Sequence, residues 1–352
     1  MRIAVAADLH LRETNPERIE NLEVLVRELL SRQIRLLIIA GDLFDAPDGS
    51  YGRVDSLAQG FPEMRLLLLP GNHDPDLRPE MFASPNIQVF TEPALVRLDG
   101  RPFLFLPFRE GSTMGEAIAG LKGSEGLRDR SWILVSHGDF GAPRKRDSGQ
   151  ERGYFPLTRE DLARYQPAKA ILGHIHVPNS VKEDIVYPGS PYPITTDEYG
   201  QRRVLIVETE SAAVAELPLP HPPLYLRTEI FLVPDGREGE QIRGQLESLL
   251  QSLSPAQEGD RSCGEVVAQV ILKGYASSRR RVQDLVEACL SEKGIRCGSV
   301  DLQSLKVNDD ESLGALADKV REQVHGLELR YEEDQALKQR VLEQALRIVY
   351  GA

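Results

Sequence analysis

The chain has 352 residues and a mass of 39.2 kDa, with 41% hydrophobic and 27% charged residues. That is enough to build sizeable cores in two or three domains, and it excludes a chain disordered throughout. Lys and Arg total 42 against 54 for Asp and Glu, a formal charge of -12, which weighs against a basic nucleic-acid-binding module. Apolar runs such as Leu36–Ala40 and Leu66–Leu69 fall far short of the ~20 residues of a membrane span. Arg2 is followed by only five apolar residues before Asp8, too few for the apolar core of a signal peptide. Cys263, Cys289 and Cys297 are odd in number and lack CxxC spacing, so reduced thiols and a cytoplasmic location are expected.

The first 210 residues alternate strand-length apolar runs with helical patterns. The predicted strands are Ile3–Ala7, Leu36–Ala40, Arg65–Leu69, Ile87–Phe90, Phe103–Leu106, Trp132–Ser136, Lys169–Leu172, Ile185–Tyr187 and Val204–Glu208. Several are apolar throughout, as strands covered on both faces are. After the first strand, Asn15 is a candidate cap and Pro16 suits a first helical position. Ile19, Leu22, Val26 and Leu29 then share one face. This order predicts an α/β sandwich flanked by helices. The proline-rich segment Leu217–Pro223 marks a domain boundary. Beyond it, Leu224–Val233, Glu265–Lys273 and Gly298–Val307 read as strands, and Glu240–Leu253 and Arg279–Leu290 as helices, a small α/β domain. Asp310–Val324 and Glu332–Tyr350 read as helices. The second carries an apolar stripe of Leu337, Val341, Leu342, Ala345, Leu346 and Val349, which either packs on its own domain or docks a partner.

Five of the seven histidines sit just past the end of an apolar run. Asp8-Leu9-His10, Gly41-Asp42, Gly71-Asn72-His73-Asp74, His137-Gly138 and Gly173-His174-Ile175-His176 each follow a strand, where sites form in α/β sheets. Residues i and i+2 of an extended segment point the same way, so Asp8 with His10 and His174 with His176 are expected to aim two ligands at one spot. Imidazole, carboxylate and amide oxygen without thiolate suit Mn²⁺, Fe²⁺ or Zn²⁺. Asp8, His10, Asp42, Asn72, His137, His174 and His176 are too many ligands for one ion and suit two, with Asp42 as the natural bridge. The glycines at 41, 71 and 173 give the backbone room to turn.

These motifs, all five in order, resemble those of the calcineurin-like metallophosphoesterases, which cleave phosphate esters with two metals. The resemblance covers residues 1 to about 208. It implies a metallophosphoesterase-type β-sandwich, with Asp8, His10, Asp42 and His176 holding one ion and Asp42, Asn72, His137 and His174 the other. Gly41-Asp42-Leu43-Phe44-Asp45, Pro70–Asp74 and Tyr187-Pro188-Gly189-Ser190 are most similar to the SbcD-type DNA double-strand-break repair nucleases. That resemblance implies a Mn²⁺-dependent exonuclease and endonuclease, usually a homodimer, working with a coiled-coil ATPase (SbcC-like). It implies three regions: a nuclease domain at 1–217, an α/β capping domain at 224–307 and a helical partner-docking region at 308–352. His73 would protonate the leaving oxygen, and Asp74 could orient it. The protein-phosphatase branch fits less well, since Asp45 is followed by Ala46-Pro47 rather than Arg-Gly. Some relatives carry His where Asp45 stands, which leaves the role of Asp45 open.

Two basic clusters are candidate DNA contacts: Arg144-Lys145-Arg146 in a loop after His137, and Arg279-Arg280-Arg281 at the start of a helix capped by Ser277 or Ser278. A helix N-terminus favours anions, so a bound phosphate would offset the three cations there. Two divalent ions would bring positive charge to where a phosphate sits, so the acidic balance does not exclude DNA. It implies modest, salt-sensitive affinity. A phosphodiesterase or phosphatase acting on small molecules or proteins, or a non-catalytic metal-bearing scaffold, remain the alternatives.

Overall fold

The computed structural model describes residues 1–45, 50–121, 127, 130–141, 153–182, 184–195, 197–219, 224–232, 238–253, 266–276, 278–307, 311–327 and 334–349. Two compact units divide at Met1–Leu224 and Tyr225–Ala352. The anticipated ends Val233, Glu265, Asp310, Glu332 and Tyr350 lie outside the described residues, as do Ser277 and the last prolines of the boundary segment.

The first unit contains β1 (Arg2–Ala6), α1 (Pro16–Ser31), β2 (Leu36–Ala40), α2 (Tyr51–Gly60), β3 (Arg65–Leu69), β4 (Ile87–Val89), β5 (Ala94–Leu98), β6 (Arg101–Leu106) and α3 (Met114–Ala119). It continues with β7 (Ile133–His137), α4 (Arg159–Tyr165), β8 (Lys169–Gly173), β9 (Asn179–Lys182), β10 (Ile185–Tyr187), β11 (Arg203–Glu208) and β12 (Val214–Pro218). Two six-stranded sheets form, in the orders β12-β11-β1-β2-β3-β4 and β5-β6-β7-β8-β10-β9. Strands β1 to β4 are parallel neighbours, as are β6, β7, β8 and β10, while β5, β9, β11 and β12 pair antiparallel.

The wholly apolar runs are explained by cover on both faces. Ile3, Val5, Leu36, Ile38, Leu67 and Leu69 share one core with Phe103, Phe105, Ile133, Val135 and Ile171 of the other sheet. Their neighbours Ala4, Ala6, Leu37, Ile39, Leu66 and Leu68 face outward, onto Leu22, Leu25, Val26 and Leu29 of α1 and Val54, Leu57 and Ala58 of α2. On the far side, Leu104, Leu106, Leu134 and Leu172 meet Met114 and Ile118 of α3. Alternation with period two therefore sends successive side chains into different cores. Pro16 opens α1 as expected, but Asn15 makes no side-chain capping bond to the helix, and its amide donates to Glu17 Oε1 at 3.0 Å instead.

The second unit contains β13 (Leu224–Leu232), α5 (Glu238–Leu253), β14 (Val266–Ala276), α6 (Arg279–Glu292), β15 (Arg296–Asp301), β16 (Leu305–Val307), α7 (Glu311–His325) and α8 (Asp334–Val349). The anticipated single strand at 298–307 is two strands, both parallel to β14, broken at a turn where Leu305 N–H donates to Leu302 O. Ile230 and Leu232 face Ile242 and Leu246 of α5 and Val282 and Val286 of α6. Phe231, between them in sequence, packs instead with Ala317, Val324, Leu342 and Leu346 of α7 and α8. Part of the α8 stripe is therefore covered within its own unit, whereas Val341 is exposed.

Phe105 is fully buried and stacks on Phe90 with ring centroids 4.3 Å apart. Phe105→Ala is expected to lower stability by about 3–5 kcal/mol, read from denaturant unfolding followed by fluorescence.

Candidate metal centre

The parallel strands β1, β2, β3, β7 and β8 deliver their following residues to one place. Asp8 and His10 follow β1, Asp42 follows β2, Asn72 follows β3, His137 ends β7, and His174 and His176 follow β8. All seven anticipated ligands converge, but not from extended backbone. Asp8, His10, Asp42 and His174 have φ of 56°, 47°, 52° and 99°, in the left-handed region that non-glycine residues seldom adopt. Such conformations cost of order 1–3 kcal/mol each and persist where surrounding structure over-determines them. Here the first two loops are laced together: Asp8 N–H donates to Gly41 O at 3.1 Å and His10 N–H to Asp42 O at 3.0 Å. Gly71 and Gly173 provide space rather than a turn. A Cβ on Gly71 would lie 2.1 Å from Asp42 Oδ1, and one on Gly173 2.1 Å from Ala40 O.

Asp42 is the central group. Its Oδ1 accepts from His73 N–H at 2.9 Å, while Oδ2 lies 3.6 Å from His10 Nε2 and 3.3 Å from His137 Nε2. His10 Nε2 is 3.1 Å from His176 Nε2. Asn72 Oδ1 lies 2.9 Å from His137 Nε2 and 3.0 Å from His174 Nδ1. Asp8 Oδ1 accepts from His174 N–H at 2.9 Å, and its buried Oδ2 has no hydrogen-bond partner. Asp8, His10 and His176 form one group whose ligand atoms lie within 4.8 Å of one another, and Asp8, Asp42 and His137 form another. An orphaned buried carboxylate oxygen and facing ring nitrogens, with only nitrogen and oxygen donors, fit divalent ions of the Mn, Fe or Zn kind. His73 also comes within that range of His10 and Asp42.

The nitrogens that face away from this cluster are also engaged. His10 Nδ1 is 3.1 Å from Asp45 Oδ1, His137 Nδ1 is 3.0 Å from Ala40 O and His176 Nδ1 is 2.8 Å from Glu198 Oε1, while His174 Nε2 stands 3.7 Å from Asp139 Oδ1, an electrostatic neighbour beyond hydrogen-bond reach. Such partners orient metal-binding imidazoles and fix their tautomers. Of these, sequence reasoning reached only Asp45, without a role. Asp139 stands two residues from His137, where an outer partner could have been sought. Glu198 lies in a stretch without a motif.

His73 is 43% exposed in its side chain, and its Nδ1 lies 3.0 Å from Asp45 Oδ1. Asp74 does not orient it. The Asp74 carboxylate is buried and accepts from Gly71 N–H at 2.7 Å and Phe44 N–H at 3.1 Å, so it fastens the loops after β2 and β3 together. Asp45 is the carboxylate at His73, and it also pairs with Arg12. Of the two basic clusters, Arg144, Lys145 and Arg146 lie outside the described residues. Arg279 is used internally, its guanidinium donating to Leu305 O at 3.0 and 2.6 Å. Arg280 and Arg281 line a shallow cavity of about 390 Å³ with Ser278, Asp284 and Leu285. The helix cap is Ser278, whose hydroxyl accepts from Arg281 N–H.

Burial pushes Asp8 up to about 6. Burial, opposed by the Asp42 carboxylate and reinforced by the neighbouring imidazoles, pushes His10 down to about 3. Burial opposes charge on His137 too, yet the Asp42 and Asp8 carboxylates outweigh it and hold the ring at about 9. Burial works against the Asp42 carboxylate, but His137 holds it well below the usual range. Burial and the adjacent His137 take His174 to about 4. At neutral pH the cluster without ions therefore keeps a proton on His137, and ligands must be deprotonated to bind. Uptake of Mn²⁺ is expected to release protons near neutral pH and to tighten as pH rises toward 9. Calorimetry in buffers of different ionisation enthalpy measures that release.

A family model described as calcineurin-like phosphoesterase matches residues 1–178. The SbcD component of the SbcCD nuclease of Escherichia coli (strain K12) is 25% identical over 290 residues, covering 65% of this chain and 72% of that protein. The Rhodobacter capsulatus protein of the same name is 26% identical over 292 residues, covering 64% and 71%. A solved archaeal phosphodiesterase is 13% identical, with a TM-score of 0.35, covering 62% of this chain and 100% of that one. Among the described residues, no helix is long and apolar enough to cross a membrane.

Proposed function

Because this chain belongs to the calcineurin-like phosphoesterase family, a family of hydrolases built around a two-metal centre, we propose that it is a Mn²⁺-dependent DNA exonuclease and endonuclease subunit acting in double-strand-break repair. The observation that carries the phosphodiesterase reading is the Asp42 carboxylate, whose Oδ2 faces ligand nitrogens on both sides. In this reading Asp8, His10, Asp42 and His176 hold one ion, and Asp42, Asn72, His137 and His174 hold the other. When bound, the two ions activate a water and neutralise charge on the phosphoryl oxygens.

The chain's own residues supply the rest. Asp45 accepts the Nδ1 proton of His73 and thereby turns the opposite nitrogen of this exposed ring toward substrate. His73 then donates a proton to the leaving oxygen, a general-acid role. The same Asp45 oxygen accepts from His10, so the acid and a ligand are set by one carboxylate. Arg18, donating to His10 O at 2.5 Å, holds that loop against α1.

DNA as the substrate is supported by the similarity to the SbcD component of the SbcCD nuclease, which takes in a larger share of the chain than the family model does. By the same similarity, a coiled-coil ATPase partner, a homodimer, and the division into nuclease (1–217), capping (224–307) and partner-docking (308–352) regions belong to this proposal. Arg280 and Arg281, with Arg144, Lys145 and Arg146, are its proposed phosphate contacts. Removing Arg280 and Arg281 together should weaken DNA binding and flatten its salt dependence, measured by fluorescence anisotropy across a salt series.

The deciding assay incubates the protein with Mn²⁺ and linear duplex or single-stranded DNA, beside a bis-phosphate-ester dye. DNA cleavage abolished by chelator is expected. Dye cleavage alone would move the reading to a phosphodiesterase or phosphatase acting on small molecules or proteins, and no cleavage of either would leave a metal-bearing scaffold. His73→Ala should lower cleavage by about 10²–10⁴-fold with the bound metal unchanged. Loss of an ion in that variant would make His73 a ligand instead.

A further inference from the structure

The match to the family ends at residue 178, yet the cluster leans on a segment that comes later. Tyr192 is buried, and its hydroxyl donates to Leu9 O, between Asp8 and His10. Ser190 N–H donates to His176 O at 2.9 Å, and buried Arg202 donates to the same carbonyl from Nη1 at 2.9 Å. Arg202 also donates from Nη2 to the backbone oxygen of Glu198. Arginine thus ties the chain at Glu198 to the chain at His176.

Glu198 is 6% exposed, and its carboxylate is fully committed. Its Oε2 accepts from Ser190 Oγ–H at 3.0 Å and from Ile194 N–H at 3.1 Å. Its Oε1 lies 2.8 Å from His176 Nδ1. A backbone N–H only donates, so the Oε2 position must be an oxygen, and an ionised Oε1 only accepts. His176 Nδ1 must then carry the proton, which leaves the lone pair on Nε2. That nitrogen faces the cluster, 3.1 Å from His10 Nε2.

We infer that Glu198 is a positioning residue that locks His176 in the tautomer with its Nε2 lone pair directed into the cluster, so that Ser190, Tyr192, Glu198 and Arg202 complete the centre from outside the family-matched stretch. The inference rests on reading the cluster as a metal centre. Glu198→Gln is the informative change because it keeps size and shape. With the amide oxygen accepting from Ile194, the amide nitrogen must face His176 and donate to Nδ1. The proton is then driven onto Nε2, and the lone pair is lost to any ion.

Two measurements test this. In protein freed of metal, with ¹⁵N-labelled histidine at an alkaline pH where the ring is neutral, the native His176 should carry its proton on Nδ1. Glu198→Gln should shift it to Nε2. In Mn²⁺ titrations by calorimetry, the native protein should take up two ions. The variant should bind one of them about 10–100-fold more weakly, the usual effect of losing such an outer partner, with the other unchanged. A native proton on Nε2, or an unchanged tautomer and affinity in the variant, overturns the inference. A lower melting temperature of the metal-free variant with the tautomer unmoved also overturns it, by making Glu198 a structural residue only. If the native protein takes up no Mn²⁺, the metal reading falls, and the tautomer measurement still decides the part played by Glu198.

Discussion

A buried carboxylate needs a cation, and among the described residues no lysine or arginine pairs with Asp42. It is nearly inaccessible, with one oxygen held by the His73 amide and the other shared between two imidazoles. Burying charge in this way is costly unless it is paired. Much around it bears the consequence. Left-handed backbone at Asp8, His10 and Asp42 turns donors inward. Room at Gly71 and Gly173 lets the chain after β3 approach Asp42 and the end of β8 approach Ala40 of β2. Asp74 keeps the loops after β2 and β3 from separating. The acceptors Asp45, Ala40 and Glu198 engage the outward-facing nitrogens of His10, His137 and His176.

Much of this was legible in the sequence, for identifiable reasons. Central strands buried on both faces announce themselves as unbroken apolar runs, and Leu36–Ala40 and Arg65–Leu69 coincide with β2 and β3. The edges do not. In β5, half-buried and exposed positions alternate, and β12 is mostly exposed, so neither has a continuous apolar run to find. The short helices α3 and α4 escaped for want of length, although Thr113 with Glu116 and Thr158 with Asp161 form capping boxes whose spacing is visible in the sequence. At the site, residue identity and strand-end position were enough to choose residues that converge. Period-two reasoning paired Asp8 with His10 through an extended conformation that the chain does not have there, because both residues sit beyond the strand, where the chain has already turned. The choice between Asp45 and Asp74 beside His73 could not be made from spacing. It depends on which carboxylate is spent on backbone amides.

The second unit shows how little an arginine cluster says without its surroundings. Three consecutive arginines at a helix start share one local environment in sequence. In three dimensions Arg279 is spent on the Leu305 carbonyl beside the β15–β16 break, while Arg280 and Arg281 border an open cavity with Asp284. Phe231 makes a similar point for the sheet. Flanked by Ile230 and Leu232, it looks like part of one apolar run, yet it is what α7 and α8 pack against.

The place of β1 in its sheet bears on when the centre can exist at all. β1 precedes the other strands of its sheet in the chain, and one of its flanks is closed by β2, soon after it. The other is closed by β11, with Ile3 opposite Val207 and Arg2 opposite Glu208. Pairings between residues so distant in sequence are slow to form, because a long loop must be closed before any contact rewards it. On a ribosome, the strand that carries Asp8 and His10 waits with one edge bare until nearly the whole first unit has emerged. Tyr192, which grips the carbonyl between those two residues, arrives equally late. An unfinished chain therefore has the residues of the cluster but not the frame that aims them, and the cluster is complete only with the last strands of the sandwich.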